Sequence, residues 1–123
     1  MYIERMNLDR EPAAIARAAS EEIRTLNHRT IGQRAFEEPS AVYSTVNELK
    51  QAVWGMPQAI EQIWGELRAM RDAEVIRMDN DTDATEGAEE ARQELNEARQ
   101  LLAQAATALD RATSVLSHMG GQW

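Results

Sequence analysis

From Ala84 to Met119, apolar residues recur in alternating steps of three and four. Ala88, Leu95, Leu102, Leu109 and Leu116 stand one heptad apart, and Ala91, Ala98, Ala105, Ala112 and Met119 follow each of them by three. This is the pattern of a helix packed along its length against another helix. No proline interrupts it, and no glycine follows Gly87 until Gly120-Gly121, so one helix is predicted over about 84–119. It would run roughly 54 Å at 1.5 Å per residue. Leucine on one line and alanine on the other lets a partner backbone come close. That favours a close antiparallel pair over a parallel zipper, which prefers β-branched a positions.

A second stripe starts after Pro39, a favoured first-turn proline, and reads Val42, Val46, Leu49, Val53, Met56, Ile60, Ile63, Leu67, Met70. Its phase survives Trp54-Gly55-Met56-Pro57, where a loop would reset it. One helix over about 40–76 is expected, kinked near 55–57 because Pro57 cannot bond the Val53 carbonyl. The alternative is two helices with a corner at Gly55. The polar run Asp79-Asn80-Asp81-Thr82-Asp83 makes an acidic turn over about 78–84, with Asp83 and Glu86 at capping-box spacing. Folding the chain there sets Val53 and Met56 against Ala105 and Leu109, Ile63 and Leu67 against Leu95 and Ala98, and Met70 against Ala91. Upstream, Ile15, Ala19, Ile23 and Leu26 stripe a shorter helix over about 10–28, capped by Asp9 with Pro12 in its first turn. Residues 120–123 form a tail. The expected fold is all-α and a single domain over 1–123. It is an elongated antiparallel hairpin of two long helices, with the N-terminal helix laid against it in a helical bundle.

Length sharpens that picture. A compact globule of this size spans about 35 Å, less than the long helix, so the protein is expected to be either elongated or dimeric, with a homodimer burying the overhang. Aromatic residues make up only 5%, which argues against a sheet. The net charge of −8 is uneven: +1 over residues 1–36, −3 over 37–78 and −6 over 79–123. Direct nucleic-acid binding is therefore not expected. The heptad leucines suggest a leucine-zipper transcription factor, but the residues where its basic region would lie include Glu86, Glu89, Glu90 and Glu94, which phosphate repels. The absence of cysteine fits the cytoplasm and removes disulfide, thiolate-metal and cysteine-nucleophile chemistry. No apolar run reaches membrane-spanning length, and no membrane association is expected.

Candidate chemistry is sparse. Asp79, Asp81, Asp83 and Glu90 match four ligand positions of a calcium-binding EF-hand loop, but Ala84 stands where glycine turns the chain and Glu86 where an aliphatic residue packs. A solvated turn is the better reading. Asn27 and His28 lie at the end of the first helix, where His28 and Arg29 suit the helix-end carbonyls. Tyr43, Trp54 and Trp64 flank the second stripe, and Trp123 ends the chain. These six aromatic and polar residues, Asn27, His28, Tyr43, Trp54, Trp64 and Trp123, are the candidate interaction surface. With only His28 and His118 available, no catalytic, cofactor or metal set is expected, and the chain does not read as an enzyme.

The segments Ala18-Ala19, Ile23-Arg24 and Leu26-Asn27-His28-Arg29-Thr30, then Pro39, Val42-Tyr43, Leu49 and Met56-Pro57-Gln58-Ala59-Ile60, resemble a group of small uncharacterised helical proteins of actinobacteria and their mobile elements. The resemblance covers about half the chain and implies a cytosolic accessory role. Trp54-Gly55 and Trp64-Gly65 resemble in part the Trp-x-Gly bend of WXG100-type secreted hairpins, without its intervening residue. The function expected is a self-associating helical interaction or structural protein, possible partners including another protein. The alternatives are an acidic nucleic-acid mimic that binds a DNA-binding protein, and a WXG100-like secretion cargo or partner.

Overall fold

The computed structural model describes residues 6–32 and 34–120. Among them are three helices and no strand: α1 (Pro12–Thr30), α2 (Pro39–Asp72) and α3 (Ala84–Leu116). The chain divides into two compact units, Met1–Glu37 and Glu38–Trp123. The first contains α1, and the second contains α2 and α3.

α1 begins at Pro12, and its N-cap is Glu11 rather than Asp9. The proline ring confines the residue before it to extended backbone, and Glu11 sits at φ −62°, ψ 141° with no side-chain cap bond. Asp9 instead donates its backbone N–H to Asn7 Oδ1 at 3.0 Å. The helix runs on to Thr30, past the expected end near residue 28. There the Thr30 hydroxyl donates to the carbonyls of Leu26 and Asn27 at 3.0 and 3.2 Å, satisfying acceptors that a helix end leaves open.

α2 is one helix of 34 residues, continuous through Gly55, Met56 and Pro57. There is no corner at Gly55, whose backbone does not enter the left-handed region. The helix stops at Asp72, short of the expected residue 76. Glu74 takes a left-handed conformation at φ 60°. Its N–H donates to the Arg71 carbonyl at 3.0 Å, while that of Val75 donates to Met70 at 3.1 Å. These two bonds form a Schellman ending, a motif that usually places glycine where Glu74 stands. Residues 73–83 link the helices. Asp83 caps α3 by accepting the N–H groups of Thr85 and Glu86 at 3.1 and 3.3 Å. A Cβ on Gly87 would lie 2.6 Å from Met78 Cε, so glycine there lets the loop methionine rest on the first turn of α3. α3 ends at Leu116 rather than 119, where short-range bonds from His118 to Val115 and from Met119 to Leu116, both 3.1 Å, tighten the exit.

α2 and α3 pack together. Lys50 pairs with Asp110, Ile60 and Trp64 share a cleft with Leu95 and Asn96, and the charge of Arg71 reaches Glu89. As the number rises on α2 it falls on α3, so the two run in opposite directions. The seam follows Val42, Val46, Leu49, Val53, Pro57, Ile60, Trp64, Leu67 and Arg71 on α2. On α3 it follows Ala88, Leu95, Leu102, Ala106, Leu109, Thr113 and Leu116. These positions repeat every 18 residues, Val42 to Ile60 and Ala88 to Ala106, which is five turns at about 3.6 residues per turn.

That repeat corrects the heptad reading. A strict heptad drifts about 20° per repeat on a straight helix, so one of the expected lines slides off the seam. Met56, Ile63 and Met70 are 41%, 57% and 48% exposed, and Ala105 and Ala112 are exposed as well, while Ala91 and Ala98, earlier on the same α3 line, stay half-buried. Pro57, Trp64, Arg71, Ala106 and Thr113, each one residue later in the chain than the residue it displaces, take their places. Thr113 is buried without penalty because its hydroxyl donates to the Asp110 carbonyl at 2.8 Å. Only Ala88, Ala106 and Thr113 count as buried among the described residues, and no large side chain is fully enclosed. Each half-buried seam leucine therefore contributes less than the roughly 1.5–3 kcal/mol of complete burial.

Candidate interaction surface

The two sides of the hairpin differ in chemistry. Residues one step past the seam make a polar side. Lys50 follows Leu49, Asp110 follows Leu109, and the two meet at 3.2 Å. Around Trp54 and this pair lies a cleft of about 320 Å³, whose lining is otherwise only Gln51. Further along, a cleft of about 130 Å³ is lined by Ile60, Glu61 and Trp64 of α2 and by Arg92, Leu95, Asn96 and Arg99 of α3. Ligand pockets run to about 300–1,000 Å³ with mostly apolar walls. The first cleft is lined by only four residues, three of them polar or charged, and the second is too small, so neither has that character.

Charge on this side is locally balanced. The Arg71 guanidinium lies 5.8 Å from the Trp64 ring centroid, within cation–π range, and also pairs with Asp72 at 3.0 Å. Arg92 forks onto Glu89, with its Nε 3.0 Å from both carboxylate oxygens. Those hydrogen bonds, offset in part by desolvation and aided by the charge of Arg92, hold the Glu89 carboxyl below the usual carboxylate range. Arg99 donates to Asn96 Oδ1 at 2.7 Å.

Residues one step before the seam make the other side: Met56, Ile63 and Met70 on α2, and Ala105 and Ala112 on α3, with the half-buried Ala98 at its edge. Leu101, 55% exposed, lies among them. Heptad spacing alone puts both rows in the seam and hides this face. The available signal was the unbroken spacing of seven in each row, a second period beside the 18-residue repeat.

The candidate residues are spread out. Tyr43 is half-buried near the start of α2, and Trp54 is 63% exposed. Trp64, expected at the flank, is half-buried in the seam itself. Trp54 and Trp64 lie about 15 Å apart along the helix, each in its own cleft, so the three aromatic rings do not form one platform. Asn27 and His28 are exposed in the last turns of α1, where the capping hydroxyl belongs to Thr30. Trp123 lies outside the described residues. In the acidic turn Asp83 serves as the cap, and Asn80 Oδ1 accepts the Thr82 N–H at 3.2 Å. Among the described residues, no group of three or more His, Asp or Glu is placed to hold a metal ion, and no helix is long and apolar enough to cross a membrane. Comparison with protein-family models, curated proteins and solved structures finds no match.

Proposed function

We propose that this chain is a non-enzymatic helical interaction protein that acts as a homodimer in the cytoplasm, in an accessory role. The observation that carries the reading is the uncovered apolar side of the hairpin. The seam encloses only small residues, while Met56, Ile63, Met70 and Leu101 remain 41%, 57%, 48% and 55% exposed. An amphipathic helix pair gains stability by burying such a face against another layer, and a second hairpin supplies that layer. The residue inventory supports a non-enzymatic role: there is no cysteine, and the two histidines lie at opposite ends of the sequence. The resemblance to small actinobacterial helical proteins supports an accessory one. A bend of α2 at Pro57, where the helix lacks one amide donor, belongs to the same reading, since it lets the helix follow its partners. Light scattering of the full chain at micromolar concentration tests the proposal. The expected mass is twice 13.8 kDa, and a mass of 13.8 kDa would overturn it.

A further inference from the structure

We infer that the second copy docks on the side of the hairpin formed by Met56 and Ile63 of α2 with Ala98, Leu101 and Ala105 of α3, about a two-fold axis parallel to the helices. The inference rests on the dimeric reading above and specifies its interface.

The side is fixed by the ion pair. Lys50 and Asp110 each follow a seam leucine and meet at 3.2 Å, so residues one step past the seam on both helices share a side. Residues one step before it share the opposite side. Met56 precedes Pro57, Ile63 precedes Trp64, Leu101 precedes Leu102 and Ala105 precedes Ala106, while Ala98, half-buried and 18 residues before Leu116, lies where this side meets the seam. Leu101 is three residues past Ala98 and four before Ala105, and Ala59 is likewise placed between Met56 and Ile63, so both join the same face. The Lys50–Asp110 register also sets the levels: Met56 lies level with Ala105, Ile63 with Ala98, and Ala59 with Leu101.

A two-fold axis along the hairpin lays α2 of one copy over α3 of the other, antiparallel and at unchanged level. Met56 then meets the partner's Ala105, Ile63 the partner's Ala98, and Leu101 the partner's Ala59. Each contact sets a large side chain on a small one, so the face is complementary to itself, as an isologous interface requires. The rows keep the seven-residue spacing of helices that pack on one another. From Ala98 to Met119 the face runs roughly 31 Å at 1.5 Å per residue, and two helices side by side are about 20 Å wide. That is about 600 Å² per copy and about 1,200 Å² in all, the lower bound for a stable specific interface. Glu48, exposed and one step before Leu49, is an acid within this stretch; toward the turn, Glu66 and Glu94, both exposed, edge the face at one level. In the dimer these acids approach their counterparts, so screening them strengthens association.

The absence of native cysteine makes cross-linking a clean test. Ile63→Cys and Ala98→Cys chains are mixed under mild oxidation, beside each variant alone and a Trp54→Cys control. The expected result is a covalent dimer in the mixture, at several times the yield of any single variant, with dimer affinity rising as salt is added. A dimeric wild type that gives no link in the mixture, links through Trp54→Cys instead, or loses affinity with added salt would overturn this interface and leave the dimeric reading standing. A monomeric wild type would overturn both.

Discussion

Ala105 and Ala106 are chemically identical neighbours on one helix, yet Ala106 is 2% exposed and Ala105 faces solvent. The same holds for Ile63, largely exposed, and Trp64, in the seam. In each pair the heptad reading favours the first residue and the five-turn repeat of a straight helix favours the second. Only a supercoiled pair keeps a strict heptad line in the seam over many turns. This hairpin leaves one line of its heptad outside, where it can pack on something else. A single chain thus carries two apolar periods, one closing the hairpin and one left open.

The contrast can be broken first at Ala106. Ala106→Leu overpacks a site with no spare volume and should cost about 1–3 kcal/mol in urea unfolding, whereas Ala105→Leu should stay within about 0.5 kcal/mol for the dilute protein. Equal costs would mean the two alanines are not on different sides. Next comes the continuity of α2, which carries the seam across Pro57. A Cβ on Gly55 meets nothing within 4 Å and the backbone there is helical, so Gly55→Ala should raise stability by roughly 0.5–1 kcal/mol. A clear loss would point to a strained corner. Glu74→Gly should give a gain of similar or smaller size, about 0.5 kcal/mol, by relieving a left-handed non-glycine residue; calorimetry showing a lower melting temperature would count against that helix ending. The smallest effect lies on the polar side. NMR titration should find Glu89 ionising below ordinary glutamates, and Arg92→Ala should return it toward them. With the folded value depressed, any stability from this pair is complete above the ordinary carboxylate range and fades as the pH falls through the depressed value. The pair is open to solvent screening, so the stability change itself is small.

The three helices were legible because each carries a long apolar stripe, and the stripe of α2 overrode the glycine and proline in its middle. The acidic turn was legible from its lack of apolar residues, and Asp83 from its place before the α3 stripe. The C-terminal helix ends and the start of α1 were not. Glu74 holds a left-handed position with no glycine or asparagine to signal it, and Pro12 moved the start of α1 by constraining Glu11. The outward rows were misread because periods of 3.5 and 3.6 differ too little over one heptad to separate. They part only over the five turns that carry Ala88 to Ala106. Among the candidate residues, Trp54 was placed beside the seam as expected. Trp64 was not, because the drift that exposes Ile63 brings its neighbour inward.

The most direct measurement is thiol labelling of two single variants, Ala105→Cys and Ala106→Cys, in a protein with no other thiol. At high dilution the first should react at nearly the rate of an exposed peptide thiol and the second at least ten times more slowly, since it opens only when the seam does. Equal rates, or faster reaction at 106 than at 105, would contradict a seam that follows the five-turn repeat.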